Sequence, residues 1–185
     1  MSYYICIPLE YADSISKTTS ILAFEAYTNR NELDQTHLTS AAMSKCFSEM
    51  GTIMSTSVDV SYNSAIAGFL DLPGDRRECG IMQDTRIICS SPSARASVLF
   101  KLKALATVIE AAEKMESCGV FTYMVFESLD DETGVRIFGR FADRESMETF
   151  LRRKEVVGFW LGSKEEVKSM ECRGYVPNGK GWLHR

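Results

Sequence analysis

Histidine is scarce in this 185-residue chain: His37 and His184 are the only two. Neither stands at ligand spacing from another histidine or a cysteine, so no zinc site is expected. The six cysteines, Cys6, Cys46, Cys79, Cys89, Cys118 and Cys172, include no C-x-x-C pair. Free thiols in a reducing, cytoplasmic setting fit this scatter better than a disulfide framework. No apolar run approaches the roughly 20 residues needed to cross a bilayer. Residues 1–9 lack the basic start of a secretory leader, so no membrane partner is expected. An excess of positive charge is also missing. With 21 Lys and Arg against 25 Asp and Glu, the net charge is −4. The basic clusters Arg76-Arg77 and Arg152-Arg153-Lys154 are short, and a nucleic-acid partner needs a broader basic face. Gly134, Gly139, Gly158 and Gly162 form neither a Walker loop nor a G-x-G-x-x-G turn, which disfavours nucleotide cofactors. There is no serine elbow, and no cysteine has a base beside it.

What is present is an ordinary globular composition, 45% hydrophobic and 25% charged. The length suits two modules of roughly 90 residues each. Residues 3–11 and 19–28 are rich in aromatic and β-branched side chains and predict two strands. Asn29 and Glu32 stand in capping-box spacing and predict a helix ended by Gly51. Alternating Val58 and Val60 predict a strand over 56–62. Pro73-Gly74 and the charges around it suggest a boundary within 70–80. A strand over 81–89 follows. Ser91-Pro92 then opens a long helix whose apolar face is Val98, Leu102, Leu105, Ile109 and Ala112. Residues 119–129 and 134–142 predict a hairpin. Two helical pieces come next, the second opened by Ser163 and Glu166, and a last strand begins near Glu171.

The halves repeat one another. Ile21, Phe24, Tyr27 and Arg30 align at one constant offset with Val135, Phe138, Phe141 and Arg144. Tyr62, Gly68, Phe69 and Leu70 align with Tyr175, Gly181, Trp182 and Leu183 in the same way. The chain therefore divides into a shortened β-β-α-β module over 1–72 and a complete β-α-β-β-α-β module over 80–185, the second in ferredoxin-like order.

The stretch Thr36-His37-Leu38-Thr39-Ser40-Ala41-Ala42-Met43-Ser44-Lys45-Cys46-Phe47 resembles the helix of antibiotic-biosynthesis monooxygenase domains. His37, Ser40, Met43 and Phe47 fit that family's His-x-x-Ser-x-x-[Met/Phe]-x-x-[Phe/Leu] pattern. Ala42 replaces a second histidine common there, and Leu151 replaces His37 in the second copy. The resemblance implies a dimeric α+β barrel, with antiparallel sheets face to face and helices outside. Strand residues 120–127 suit it, since Val120, Thr122, Met124 and Phe126 alternate with Phe121, Tyr123 and Val125. Both faces of that strand should be buried. The tandem copy, or a homodimer, could supply the second sheet.

By the same resemblance the protein is a small-molecule tailoring enzyme on an aromatic or polyketide-like substrate, a monooxygenase that needs no cofactor. Polyketide cyclisation or isomerisation in the same pocket is an alternative, as is a binding or interaction protein without chemistry. Haem binding, a further possibility, would have only His37 and His184 to supply an axial ligand. The expected site lies between sheet and helices. Arg140 could hold an enolate or phenolate, Tyr123 could donate to a carbonyl, and His37 could act as a base. Trp160, Tyr175, Trp182 and Asn178 could line the substrate, with His184 over the pocket mouth if the tail folds back. Each has a plainer reading. Arg140 could be a rim residue, Tyr123, Trp160 and Trp182 core, His37 a surface position, and Pro177-Asn178-Gly179 a turn.

Overall fold

The computed structural model describes residues 2–72 and 78–182, without the side chains of 2, 3, 36, 37 and 180–182. Seven strands form one antiparallel sheet: β1 Ser2–Pro8, β2 Leu22–Ala26, β3 Asn63–Phe69, β4 Ile81–Cys89, β5 Val120–Ser128, β6 Gly134–Phe141 and β7 Val167–Trp182. Its order is β2-β1-β7-β4-β6-β5-β3. The inner four strands, with helix α2 (Pro92–Glu116) and the pair α3 (Arg144–Leu151) and α4 (Lys154–Gly162), run in the order β4-α2-β5-β6-α3-α4-β7. The first half extends both edges of that unit, β1 and β2 beside β7 and β3 beside β5. Strands from both halves thus share one hydrogen-bonded sheet, with helices packed outside it.

Local chemistry explains the elements. The Ser91 hydroxyl accepts from the Ala94 N–H at 3.1 Å, with Pro92 following it, so α2 starts where its cap dictates. Asp143 caps α3 through the Ser146 N–H at 2.7 Å. The Asn29 side chain accepts from the Glu32 N–H at 3.0 Å, and Glu32 reaches back to the Thr28 N–H at 2.9 Å. That box opens a short π-helical turn, Glu32–His37, rather than the long helix expected. The helix proper, α1 (Ala41–Ile53), restarts on a new cap at Ser40 and runs past Gly51 to Ile53.

Two further expectations are corrected. Residues 56–62 are not a strand: Val58 and Val60 stand 47% and 58% exposed, and an alternating pattern with no apolar face to cover gains nothing by pairing. The strand begins later, at Asn63, against β5. Ser163 does not open a helix. It follows α4 and accepts the Glu166 and Val167 N–H groups in a turn that leads into β7. Gly68 in β3 has φ +100°, and a Cβ there would overlap the Tyr123 carbonyl oxygen. Only glycine permits β3 to approach β5 so closely.

Both faces of the sheet are buried, as the apolar alternation of β5 predicts. The helix-facing side holds Ile81, Ile87, Val125, Val135, Ile137 and Phe141 against Val98, Leu102 and Ile109 of α2. The opposite side is concave. The sheet curls until Phe24 of β2 stacks on Phe138 of β6, ring centroids 4.1 Å apart and 5° from parallel. Phe24 also meets Phe126 edge-on at 6.0 Å. No described helix is long and apolar enough to cross a membrane.

Candidate functional site on the concave face

Strand register orders the concave face into rows. Tyr175, Met82, Arg140 and Thr122 lie side by side across β7, β4, β6 and β5. The next row is Arg173, Asp84, Phe138 and Met124. The third is Glu171, Arg86, Arg136 and Phe126. Directly paired residues share a face, so arginines of β6 four apart, Arg136 and Arg140, both point inward.

Arg140 ends up deeply buried, 2% exposed, in a polar knot. It pairs with Asp71 at 3.0 Å and donates to the Thr122 hydroxyl at 3.3 Å and the Tyr4 hydroxyl at 3.4 Å. Its guanidinium also lies 5.0 Å from the Tyr4 ring centroid. Thr122 in turn donates to the Leu70 carbonyl. Burial pushes up the pKa of the Tyr4 phenol and of the Cys79 thiol, and Arg140 opposes both shifts. Beside them, the Cys6 thiol touches the Met82 sulfur at 3.4 Å, and burial pushes its pKa up to about 12. These are neutral groups around one charged guanidinium, already matched to a carboxylate.

The other end of the face is open. A cavity of about 330 Å3 is lined by Asp59, Asp84, Arg86, Glu171, Arg173 and Tyr175. Asp84 is held by Arg136 through two bonds, 2.6 and 2.9 Å. Arg86 lies 3.6 Å from Asp84 and 3.1 Å from Asp59. Arg136 also donates to the Ser61 hydroxyl at 2.6 Å, while Arg173 pairs with Glu10 at 2.6 Å and sits over the Tyr175 ring at 5.8 Å. Burial first, and Asp84 second, raise the Tyr175 phenol pKa against the opposing arginines. Tyr175 is therefore a neutral hydrogen-bond donor in the cavity lining.

The sequence candidates separate accordingly. Tyr123 pairs with Gly139 and faces the helices, on the side of the sheet opposite Arg140. It packs 5.6 Å from Phe150, with its pKa raised by burial. Trp160 lies in α4 against the same core, 4.8 Å from Phe159. Both belong to the packed core between the sheet and the helices. Arg140 is core and not rim. Tyr175 alone of the candidates lines the cavity. Asn178 sits inside β7, not in a turn: pairing jumps from Cys6–Pro177 to Tyr4–Gly181, so 178–180 bulge from the ladder, with Gly179 at φ +73°. The side chains of His37 and Trp182, and all of His184, lie outside the described residues. Sequence reasoning missed Asp84, Arg86 and Arg136. The available signal was charge at alternate positions of strands that are otherwise apolar, since a charge half-buried in a sheet needs a partner. Among the described residues no cluster of His, Cys, Asp and Glu could hold a metal ion.

A curled antiparallel sheet with a ferredoxin-like centre and helices packed outside it defines an α+β protein. No family model and no curated protein matches the chain. Among solved structures, it resembles a "putative monooxygenase" of Fusobacterium nucleatum with TM-score 0.78 at 11% identity, over 99% of this chain and 77% of that one. A second "putative monooxygenase", from Lactobacillus acidophilus, gives 0.67 at 12% identity, over 98% and 80%. An anthrone oxidase-like protein gives 0.65 at 11% identity, over 96% and 76%. Identities this low show the shared fold alone.

Proposed function

We propose that this chain is a small-molecule enzyme of the monooxygenase type, acting without a cofactor on an aromatic or polyketide-like substrate held in the concave-face cavity. The observation that carries this reading is the cavity itself, where Arg86 and Arg173, interleaved with Asp59, Asp84 and Glu171, surround a neutral tyrosine. A cofactor-free oxygenation needs a substrate acidic enough to form a carbanion or phenolate, and an environment that stabilises that anion. Arg86 and Arg173 supply positive charge at the cavity wall, and Tyr175 supplies a donor. For a substrate of the anthrone kind the balance closes without an external reductant: the ring CH2 becomes C=O, and the second oxygen atom of O2 leaves as water. Arg140 is then a positioning residue that fixes the sheet below the cavity.

The test is oxygen uptake by the purified protein with anthrones and hydroquinones, with a mass gain of one oxygen and loss of two hydrogens in the anthrone product. Turnover that falls in Tyr175→Phe supports the reading. Neither uptake nor binding across the panel rejects it, and turnover without O2 would indicate cyclisation or isomerisation instead. A binding protein without turnover is the second reading. It is favoured by one observation, the engagement of Arg140 with Asp71 and of Tyr123 with the aromatic core.

A further inference from the structure

The segment 54–62 between α1 and β3 has no regular structure, and its Asp59 lines the cavity. Its far end is anchored. The Tyr62 N–H donates to Asp130 at 2.7 Å, the Tyr62 carbonyl accepts from the Leu129 N–H at 2.9 Å, and Arg30 lies 4.5 Å over the Tyr62 ring. Nearer the middle it meets the sheet through side-chain polar contacts, Asp59 with Arg86 and Ser61 with Arg136. Its valines point to solvent and add no apolar grip. Asp59 is itself largely solvated, with 75% of its side chain exposed. An ion pair this wet contributes little to folding.

We infer that 54–62 is a displaceable strap, and that the Asp59 carboxylate stands where the carboxylate of an aromatic acid docks on Arg86. Arg136 already engages Asp84 through both oxygens, so Arg86 has bonding capacity left over, which Asp59 takes up at 3.1 Å. Replacing one carboxylate by another leaves the local charge unchanged, so the mixed surroundings of Asp84 and Glu171 that tolerate Asp59 tolerate the ligand equally. The cavity that Asp59 and Arg86 line is large enough for one substituted ring and is also lined by Tyr175. The ligand wins the exchange by adding ring contact with Tyr175, which the aspartate cannot make. Binding then frees the middle of the strap while Tyr62 stays fixed.

This inference rests on the reading that the cavity receives the substrate, and its test separates the two. The probes are 4-hydroxybenzoate and its neutral isostere 4-hydroxybenzamide, titrated calorimetrically into the wild type, Asp59→Asn and Arg86→Gln. Asp59→Asn changes an exposed side chain and preserves its shape. It is expected to bind the acid roughly threefold to tenfold tighter than the wild type, the range a solvated ion pair allows, with the amide unchanged. Arg86→Gln should weaken the acid and spare the amide. Equal or weaker acid binding in Asp59→Asn, an equal gain for the amide, or no acid binding by any variant overturns the strap. Oxygen uptake with no Asp59→Asn effect on affinity would keep the enzyme reading and reject the strap. A tighter-binding Asp59→Asn with no turnover would do the reverse.

Discussion

The two faces of one sheet solve the same burial problem by different chemistry. The helix-facing side is closed mainly by apolar side chains, Leu102, Val98 and Ile109 of α2 with Ile87, Val125 and Ile137, and the buried Glu113 of α2 accepts the Gly119 and Val120 N–H groups. The concave side, covered by the chain's own β1–β2 hairpin, is part apolar and part charged. Phe24 and Phe138 stack at its middle, Arg140 and Asp71 are sealed at one end, and Asp84, Arg86, Glu171 and Arg173 line a cavity at the other. A face that carries charge can hold a polar ligand, whereas a filled apolar face contributes stability.

The comparison breaks hardest at Arg140. Arg140→Ala leaves the Asp71 carboxylate buried without its guanidinium partner and should cost about 3–5 kcal/mol in urea unfolding. The double variant Arg140→Met with Asp71→Leu should recover most of that loss. If the single variant costs under about 1 kcal/mol, the knot is effectively solvated and the contrast between its sealed and open ends fails. On the other face, Leu102→Ala should cost about 2–5 kcal/mol by leaving a cavity under α2. It should cost no recoverable electrostatic part, so that salt leaves its effect unchanged while shifting that of substitutions at the open cavity.

A pH titration separates the faces without mutation. Cys6 and Cys79, and the phenol of Tyr4, are concave-face groups with pKa values raised by burial. A raised folded-state pKa favours the protonated native form. Its stabilising contribution is complete below the ordinary thiol and phenol range and disappears as pH climbs through the folded values, about 12 for Cys6. Thermal unfolding should therefore occur at lower temperature as pH rises above about 9, the ordinary thiol range. Cys6→Ala should flatten that slope even though it lowers stability at neutral pH.

Much of this architecture was legible in residues 80–185, where periodicity, Ser91-Pro92 and the alternating strands agree with burial. The first half was harder for a physical reason. Its helix α1 buries no residue completely, so no sharp apolar stripe marked its true start at Ser40, and the capping box at Asn29, which predicts a helix, opens only a turn. Val58 and Val60 alternate like a strand because a strap needs only to be extended. At the site, Tyr175 was readable as an aromatic in a strand. The partition of Arg140 and Tyr123 to opposite faces depended on the β5–β6 register, where a slip of one residue exchanges the faces. Asp84, Arg86 and Arg136 looked like surface charge until that register placed them in one row or the next.

The smallest expected effect tests the strap as a region apart from both faces. Val58→Ser and Val60→Ser should each alter unfolding free energy by less than about 0.5 kcal/mol, as for exposed positions away from any packed contact. A strand committed to the sheet would respond differently, because a β-branched residue in a ladder is supported by its cross-strand neighbours. A loss of more than about 1 kcal/mol at either valine would mean that 54–62 packs onto a surface in solution. The segment would then belong to one of the two faces, and Asp59 would be held by more than Arg86. A null effect, combined with the Asp59→Asn affinity gain, would leave a segment tied to the protein mainly by polar contacts that a ligand can replace.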